Sequence, residues 1–248
     1  MNGKIVNMGR SIAFNIFFFS GSFLCSIILL PALLLPEKKC AQVVSDIYGG
    51  YITFIEKYIM GLTLEIKGLE NVPKTGAYII AAKHQSAFET LKLPYMRNLG
   101  YPAIILKKEL THIPIWGWYP ARMGQIAIDR GSAMEALDSI VRGCQQKLAS
   151  GRPVIIFPQG TRTAVGAKKP YKAGIAKVYR NVQVPVVPVA LNSGIFWGKN
   201  AFFKKSGMIT FEFLPPIPSG LPPLQMMEQL EKAIEEASDK LVAAAQHN

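Results

Sequence analysis

Between Arg10 and Glu37 the chain carries no charged side chain for 26 consecutive positions, and the run is rich in Phe, Ile and Leu. About 20 apolar residues in a helix suffice to cross a bilayer, so this segment must either enter lipid or be covered by protein. Three readings fit it. A cleaved signal peptide suits Lys4 and Arg10, but the run ends Leu33-Leu34-Leu35-Pro36-Glu37-Lys38-Lys39, with no small-residue cleavage site. A spanning helix would have Arg10 at one end and Lys38-Lys39 at the other, with Pro31 and Pro36 interrupting or capping it. The third reading adds Ala41 to Met60, where Val43, Val44, Ile47, Tyr51, Phe54, Ile55, Tyr58 and Ile59 interleave with Asp46, Glu56 and Lys57 as in an amphipathic helix. Two helices dipping into one leaflet would then set the rest of the chain on the membrane surface. Residues 1–60 are accordingly expected to form a membrane-anchoring two-helix extension, and residues 61–248 a single domain.

Chemistry is expected first at Lys83-His84-Gln85-Ser86-Ala87-Phe88-Glu89. The preceding Ala77 to Ala82 reads as a buried strand, so His84 emerges at a strand's carboxyl end, with a helix starting within Gln85-Ser86-Ala87. His84 and Glu89 can then face each other across the bend. A neutral imidazole held by a carboxylate on one nitrogen is a general base on the other. His84 would take the proton of an attacking alcohol, while Glu89 fixes the tautomer and stabilises the imidazolium, as in the serine-protease triad. No G-x-S-x-G elbow supplies a nucleophile, and Cys25, Cys40 and Cys144 sit in no motif. Ser86 is one candidate nucleophile; the simpler reading is the substrate's own hydroxyl.

Three further stretches accompany this pair. Gly124 to Gly131 is a short alternating strand ending in Asp129-Arg130. Val154 to Arg162 is an apolar strand that breaks at Pro158 into Gln159-Gly160-Thr161-Arg162, whose backbone N–H groups, hydroxyl and guanidinium are the parts of a phosphate cradle. Val184 to Asn192 is apolar, twice interrupted by proline, and reads as a wall strand. In this order, from about Gly61 to Asn192, the four blocks resemble the glycerolipid acyltransferases, specifically the 1-acyl-sn-glycerol-3-phosphate acyltransferase family. The resemblance implies a membrane-bound enzyme that moves a fatty acyl chain from an acyl thioester to the sn-2 hydroxyl of lysophosphatidic acid, giving phosphatidic acid. It implies neither a covalent acyl-enzyme nor a metal, and no cofactor beyond acyl carrier protein or coenzyme A as carrier of the co-substrate. His84 is then the base and Glu89 its orienting carboxylate. Gly160, Thr161 and Arg162 lie at the glycerol-phosphate site with Arg130 near it, and Lys107 matches a lysine close to the same phosphate.

Two positions depart from the family pattern, which has aspartate where this chain has Glu89 and glutamate where it has Gln159. The first adds a methylene and keeps the charge. The second removes a charge beside the phosphate turn, leaving Gln159 able to hydrogen-bond a glycerol oxygen. It keeps alternative acceptors open, such as a lyso-ornithine lipid or glycerol-3-phosphate. A non-catalytic lipid-binding protein would share the anchor and the basic surface, and the intact His84/Glu89 pair argues against it.

The net charge of +12 is concentrated: from Arg97 to Arg180 there are 14 Lys/Arg against Glu109, Asp129, Glu135 and Asp138. Such a field suits anionic lipid headgroups, at roughly 1 kcal/mol per basic residue near the surface, or an acidic acyl carrier. Nucleic acid is disfavoured, because no recognition-helix, zinc-finger or stacking-aromatic signature appears. Three cysteines without motif spacing point to a reducing compartment, and with His112 and His247 isolated no metal site is expected. The expected location is the inner cell membrane, with the catalytic domain on the cytoplasmic side.

For the rest of the chain, Leu62–Ile66, Ala103–Leu106 and Gly207–Phe213 read as strands. Phe88–Leu99, Ala173–Arg180 and a segment opened by a capping box at Ser132-Ala133-Met134-Glu135 read as helices. A last helix from Leu224 to Ala245 carries Met227, Leu230, Ile234, Ala237 and Leu241 on one face. Ile113 to Pro120, aromatic and proline-broken, is expected to line an acyl channel or touch the membrane, core packing being the alternative. Ala167 to Lys172 reads as a lysine-rich loop near the phosphate turn. The alternation predicts an α/β fold, a mixed sheet flanked by helices on both sides.

Overall fold

The computed structural model describes residues 2–129 and 133–246. Arg130 and the capping serine Ser132 lie outside the described residues. The chain opens with α1 (Asn2–Ile28), a 3₁₀ turn at Leu30–Leu34, α2 (Glu37–Phe54) and a π-helical turn at Ile55–Met60. Pro31 sits in the first turn of the 3₁₀ segment and Pro36 at the N-cap of α2, so both prolines occupy positions where no helical N–H is lost. Gly61 follows in a left-handed conformation (φ +73°) and releases the chain into β1 (Leu62–Lys67).

Then follow β2 (Ile79–Ala82), α3 (Phe88–Lys92), β3 (Ala103–Lys107), α4 (Trp118–Arg122), β4 (Ile126–Ile128), α5 (Ala133–Ala149) and β5 (Val154–Ile156). The chain ends with α6 (Gly174–Val182), β6 (Val186–Leu191), α7 (Ser193–Phe196), β7 (Gly207–Phe213) and α8 (Pro223–Gln246). Among the described residues these strands form a seven-stranded sheet in the order β1-β7-β6-β2-β5-β3-β4. The five strands from β6 to β4 run parallel. β7 lies antiparallel to β6 and carries β1 parallel to itself, which makes the sheet mixed, as the alternation anticipated.

Strands buried on both faces need no alternation, only continuous apolar character. β2 is fully buried: Ile80 and Ala82 point to one face, Ile79 and Ala81 to the other. The second face is covered by α5, α6 and α8 through Val141, Cys144, Leu148, Ile175, Val178, Met226, Leu230 and Ile234. The first is covered by the N-terminal helices, since Cys40, Ala41, Val44, Tyr48 and Ile52 of α2 belong to one core with Ile80, Val187 and Phe211.

Two helices differ from expectation. The Phe88–Leu99 helix is only α3, continued by 3₁₀ turns at Leu93–Tyr95 and Arg97–Leu99, because Pro94 has no N–H for the ladder. In α8 the buried stripe is Met226, Leu230, Ile234 and Ser238; Met226 displaces Met227.

α1 is long and apolar enough to cross a membrane, and most of its apolar stretch is left unburied. It packs through one stripe. Asn7 accepts from Ser206, Ser11 donates to the Lys204 carbonyl, Phe14 meets Trp197 edge-on at 5.3 Å, and Ser22 bonds the Tyr48 hydroxyl at 3.0 Å. Ile5, Ile12, Ile16, Phe19 and Phe23 face outward.

Candidate active site

In parallel sheets, ligands gather beyond the carboxyl ends of the strands. His84 follows β2, Lys107 ends β3, the Pro158–Arg162 turn follows β5, and Asn192-Ser193 follow β6, so the sheet itself brings the candidate residues to one edge.

There, His84 Nδ1 lies 3.0 Å from Glu89 Oε1. The five-residue separation is closed by the sharp bend at Gln85–Ala87 before α3. Glu89 is fully buried, which an isolated carboxylate would not tolerate, and its compensation is explicit. Oε1 also accepts the backbone N–H groups of Gln85 and Ser86, both at 2.6 Å, and Oε2 accepts the Ser193 hydroxyl at 2.8 Å. The carboxylate partner assigns the Nδ1–H tautomer, which leaves Nε2 as the working nitrogen. The ring stacks on Phe157, with centroids 4.0 Å apart and planes 15° from parallel. Ser86 is fully buried and its Oγ accepts the Phe88 N–H at 3.1 Å, so its hydroxyl is spent on the start of α3.

The phosphate-type turn is laced to this loop. Thr163 N–H donates to the His84 carbonyl at 2.7 Å, and the His84 N–H donates to Gln159 Oε1 at 3.2 Å. Gly160 adopts φ +66°. A Cβ there would fall 2.9 Å from the stem of Lys172, so the glycine serves both the turn and the lysine that crosses it. His84, Lys107, Gly160, Thr161, Arg162 and Lys172 open onto one cavity of about 1020 Å³, whose walls also include Tyr48, Leu91, Tyr95, Trp116, Tyr119 and Ile140.

Residues 63–192 match the family described as Acyltransferase. The chain is 33% identical over 177 residues to the 1-acyl-sn-glycerol-3-phosphate acyltransferase of Pseudomonas aeruginosa, covering 71% of this chain and 67% of that one. This chain belongs to the 1-acyl-sn-glycerol-3-phosphate acyltransferase family. Other relatives are the enzyme of that name from Saccharomyces cerevisiae (29% over 191 residues, 75% and 62% covered) and the human alpha form (31% over 169 residues, 67% and 59%). The fold of this acyltransferase is that of the 1-acyl-sn-glycerophosphate (LPA) acyltransferase PlsC from Thermotoga maritima, with a TM-score of 0.75 at 21% identity, covering 96% of this chain and 98% of that one.

Within the acyltransferase the expected residues fall unevenly. His84 and Glu89 are in contact; Lys107, Gly160, Thr161 and Arg162 share the cavity with His84. Arg130 lies outside the described residues. Gln159 is fully buried and spends its carbonyl on the His84 backbone, while its Nε2 has no hydrogen-bond partner among the described residues. Its place is beneath the turn, bracing the histidine, rather than out toward a glycerol oxygen. Ile113 to Pro120 divides, with Trp116 and Tyr119 on the cavity and Ile113 and Trp118 exposed. Two residues escaped the sequence reading. Lys172 was legible only as part of a basic loop. Ser193 follows the apparent wall strand and carries no local signal at all. No group of three or more His, Cys, Asp or Glu side chains among the described residues is arranged to hold a metal ion.

Proposed function

We propose that this acyltransferase moves a fatty acyl group from a thioester to the sn-2 hydroxyl of lysophosphatidic acid, producing phosphatidic acid by direct attack. The observation that carries the reading is the buried His84–Glu89 pair opening onto a large cavity lined by both apolar and cationic side chains. His84 Nε2 takes the proton as the acceptor oxygen adds to the thioester carbonyl. Glu89 stabilises the imidazolium, and collapse of the tetrahedral intermediate breaks the C–S bond, the proton passing to the departing thiolate. The cavity lies at the upper end of the 300–1,000 Å³ usual for small-molecule pockets, which suits substrates with long chains. Arg162, Lys107 and Lys172 meet the acceptor's phosphate, Arg162 being able to do so bidentately. The donor rides on an acidic carrier, acyl carrier protein or coenzyme A, drawn by the basic surface.

The enzyme sits on the membrane rather than through it. The inward stripe of α1 is committed to the protein along its length from Asn7 to Ser22, so its outward apolar stripe enters a single leaflet. The catalytic domain faces the cytoplasm of the inner membrane, where the reducing compartment suits its free cysteines.

The direct test is His84→Ala, assayed with lysophosphatidic acid and an acyl thioester by product mass. Losing the general base is expected to cost about 10² to 10⁴ in turnover while membrane binding is kept. Near-normal turnover would remove His84 from the mechanism. In the same assay, turnover of a lyso-ornithine lipid or glycerol-3-phosphate in preference to lysophosphatidic acid would reassign the acceptor.

A further inference from the structure

We infer that Ser193 is a positioning residue for the catalytic pair, its hydroxyl holding the far oxygen of the Glu89 carboxylate; this rests on His84 acting as the base. The two carboxylate oxygens are served differently. Oε1 receives His84 Nδ1 and two backbone N–H groups, all from its own loop. Oε2 receives the Ser193 Oγ–H at 2.8 Å from the far end of β6, 104 positions along the chain. A carboxylate's terminal torsion is broad and nearly two-fold, so contacts to one oxygen fix its position and leave its plane free to turn. A donor on the second oxygen fixes the plane, and with it the direction from which Oε1 meets the imidazole.

The corner that supplies this donor is itself held. Asn192 Oδ1 accepts the Thr210 N–H of β7 at 2.8 Å, and the Gly194 N–H donates to Gln85 Oε1 at 3.0 Å. Three successive residues thus bind a neighbouring strand, the carboxylate and the histidine's own loop. The fit is close: a Cβ on Gly194 would lie 3.0 Å from that of Gln85 and 2.8 Å from Val165. A serine at the start of a helix ordinarily turns its hydroxyl to that helix's N–H groups. At α7 the N-cap residue is Asn192, and no side-chain cap is made because its Oδ1 takes the Thr210 N–H; Ser193, the first helical residue, turns its hydroxyl to Glu89.

The hydroxyl also withdraws electron density from the carboxylate. Without it, Glu89 has one donor fewer and its negative charge faces His84 less quenched, so the acid limb of the pH profile is expected to move to higher pH. A role confined to packing would not move that titration. The test compares Ser193→Ala and His84→Ala in the full-length enzyme, with kcat and both KM values measured across pH and melting followed in parallel. For Ser193→Ala we expect kcat to fall about tenfold, as for loss of a hydrogen bond to a charged group. Both KM values should stay within about twofold (~0.4 kcal/mol by RT ln 2), and the acid limb of kcat/KM should shift to higher pH. An unchanged kcat with an unshifted limb, while His84→Ala is inactive, overturns the role of Ser193 alone. A lower kcat that tracks only a loss of folded protein, with the limb unmoved, also overturns it. An active His84→Ala overturns the base assignment first.

Discussion

The chemistry of this acyltransferase depends on how a few side chains are compensated rather than on which are present. Glu89 survives complete burial because every bond to it is a donor, and its charge is then available to one partner, His84. On the proposed reading, Arg162, on the wall of the same cavity, recognises the acceptor rather than reacting with it. Arg162→Ala should raise KM for lysophosphatidic acid by about one to two orders of magnitude, the worth of a charge-assisted pair, and leave KM for the acyl thioester near its original value. Steady-state kinetics with each substrate varied in turn measure the ratio. Equal effects on both would remove Arg162 from the acceptor's phosphate.

Among the elements, the π-helical turn at Ile55–Met60 and the short helix α3 share a buried ion pair, Glu56 with Lys92, and Lys92 also donates to Thr53 Oγ1 at 2.7 Å. Burial pushes the Glu56 carboxyl up to about 7 against the opposing pull of Lys92. A raised acid binds its proton more tightly in the folded state, so stability falls as pH rises from about 4.5, the group's ordinary value, to about 7. Lys92→Met removes the opposing pull, lifts the carboxyl further and extends that falling window above pH 7. The variant should therefore lose about 3–5 kcal/mol at pH 8 and clearly less at pH 5.5, by urea denaturation in detergent. A loss independent of pH would show that Lys92 does not set the protonation of Glu56. The pair matters beyond stability because α3 carries Glu89 three residues before Lys92, so the turn that follows the N-terminal helices is tied to the helix that holds the partner of His84.

At the scale of the whole molecule, the candidate site lies at the sheet edge and one face of the sheet is roofed by the N-terminal helices, which the proposed function sets against lipid. α8 braces the site from the opposite face, with Glu235 taking both the buried Lys83 ammonium, next to His84, and the Tyr171 hydroxyl at 2.9 Å. With a net charge of +12 and an outward apolar stripe on α1, membrane binding should combine two forces. Replacing exposed Phe19 and Phe23 by Ser should weaken binding to neutral vesicles by roughly 3 kcal/mol or more, since each buried Phe contributes about 1.5–3 kcal/mol. Raising salt should weaken binding to anionic vesicles without touching binding to neutral ones. Vesicle flotation reads both. Unchanged binding of the double variant to neutral vesicles would place the lipid contact elsewhere.

The sequence by itself determined whatever depends on near neighbours: the apolar runs that became β2, β5 and β6, the break at Pro31 and Pro36, the 26-residue uncharged segment and the His84/Glu89 spacing. Each follows from propensity, periodicity or a short loop. Only the tertiary structure decided which side of α1 faces protein, because apolar residues lie all round the helix and mark no preferred face until Asn7, Ser11 and Ser22 find partners far along the chain. It also decided that β7 enters antiparallel, that Gln159 turns inward, and that Ser193 reaches Glu89. Those outcomes rest on pairings between segments tens to more than a hundred residues apart, and no local pattern encodes the partner of a single hydroxyl or amide.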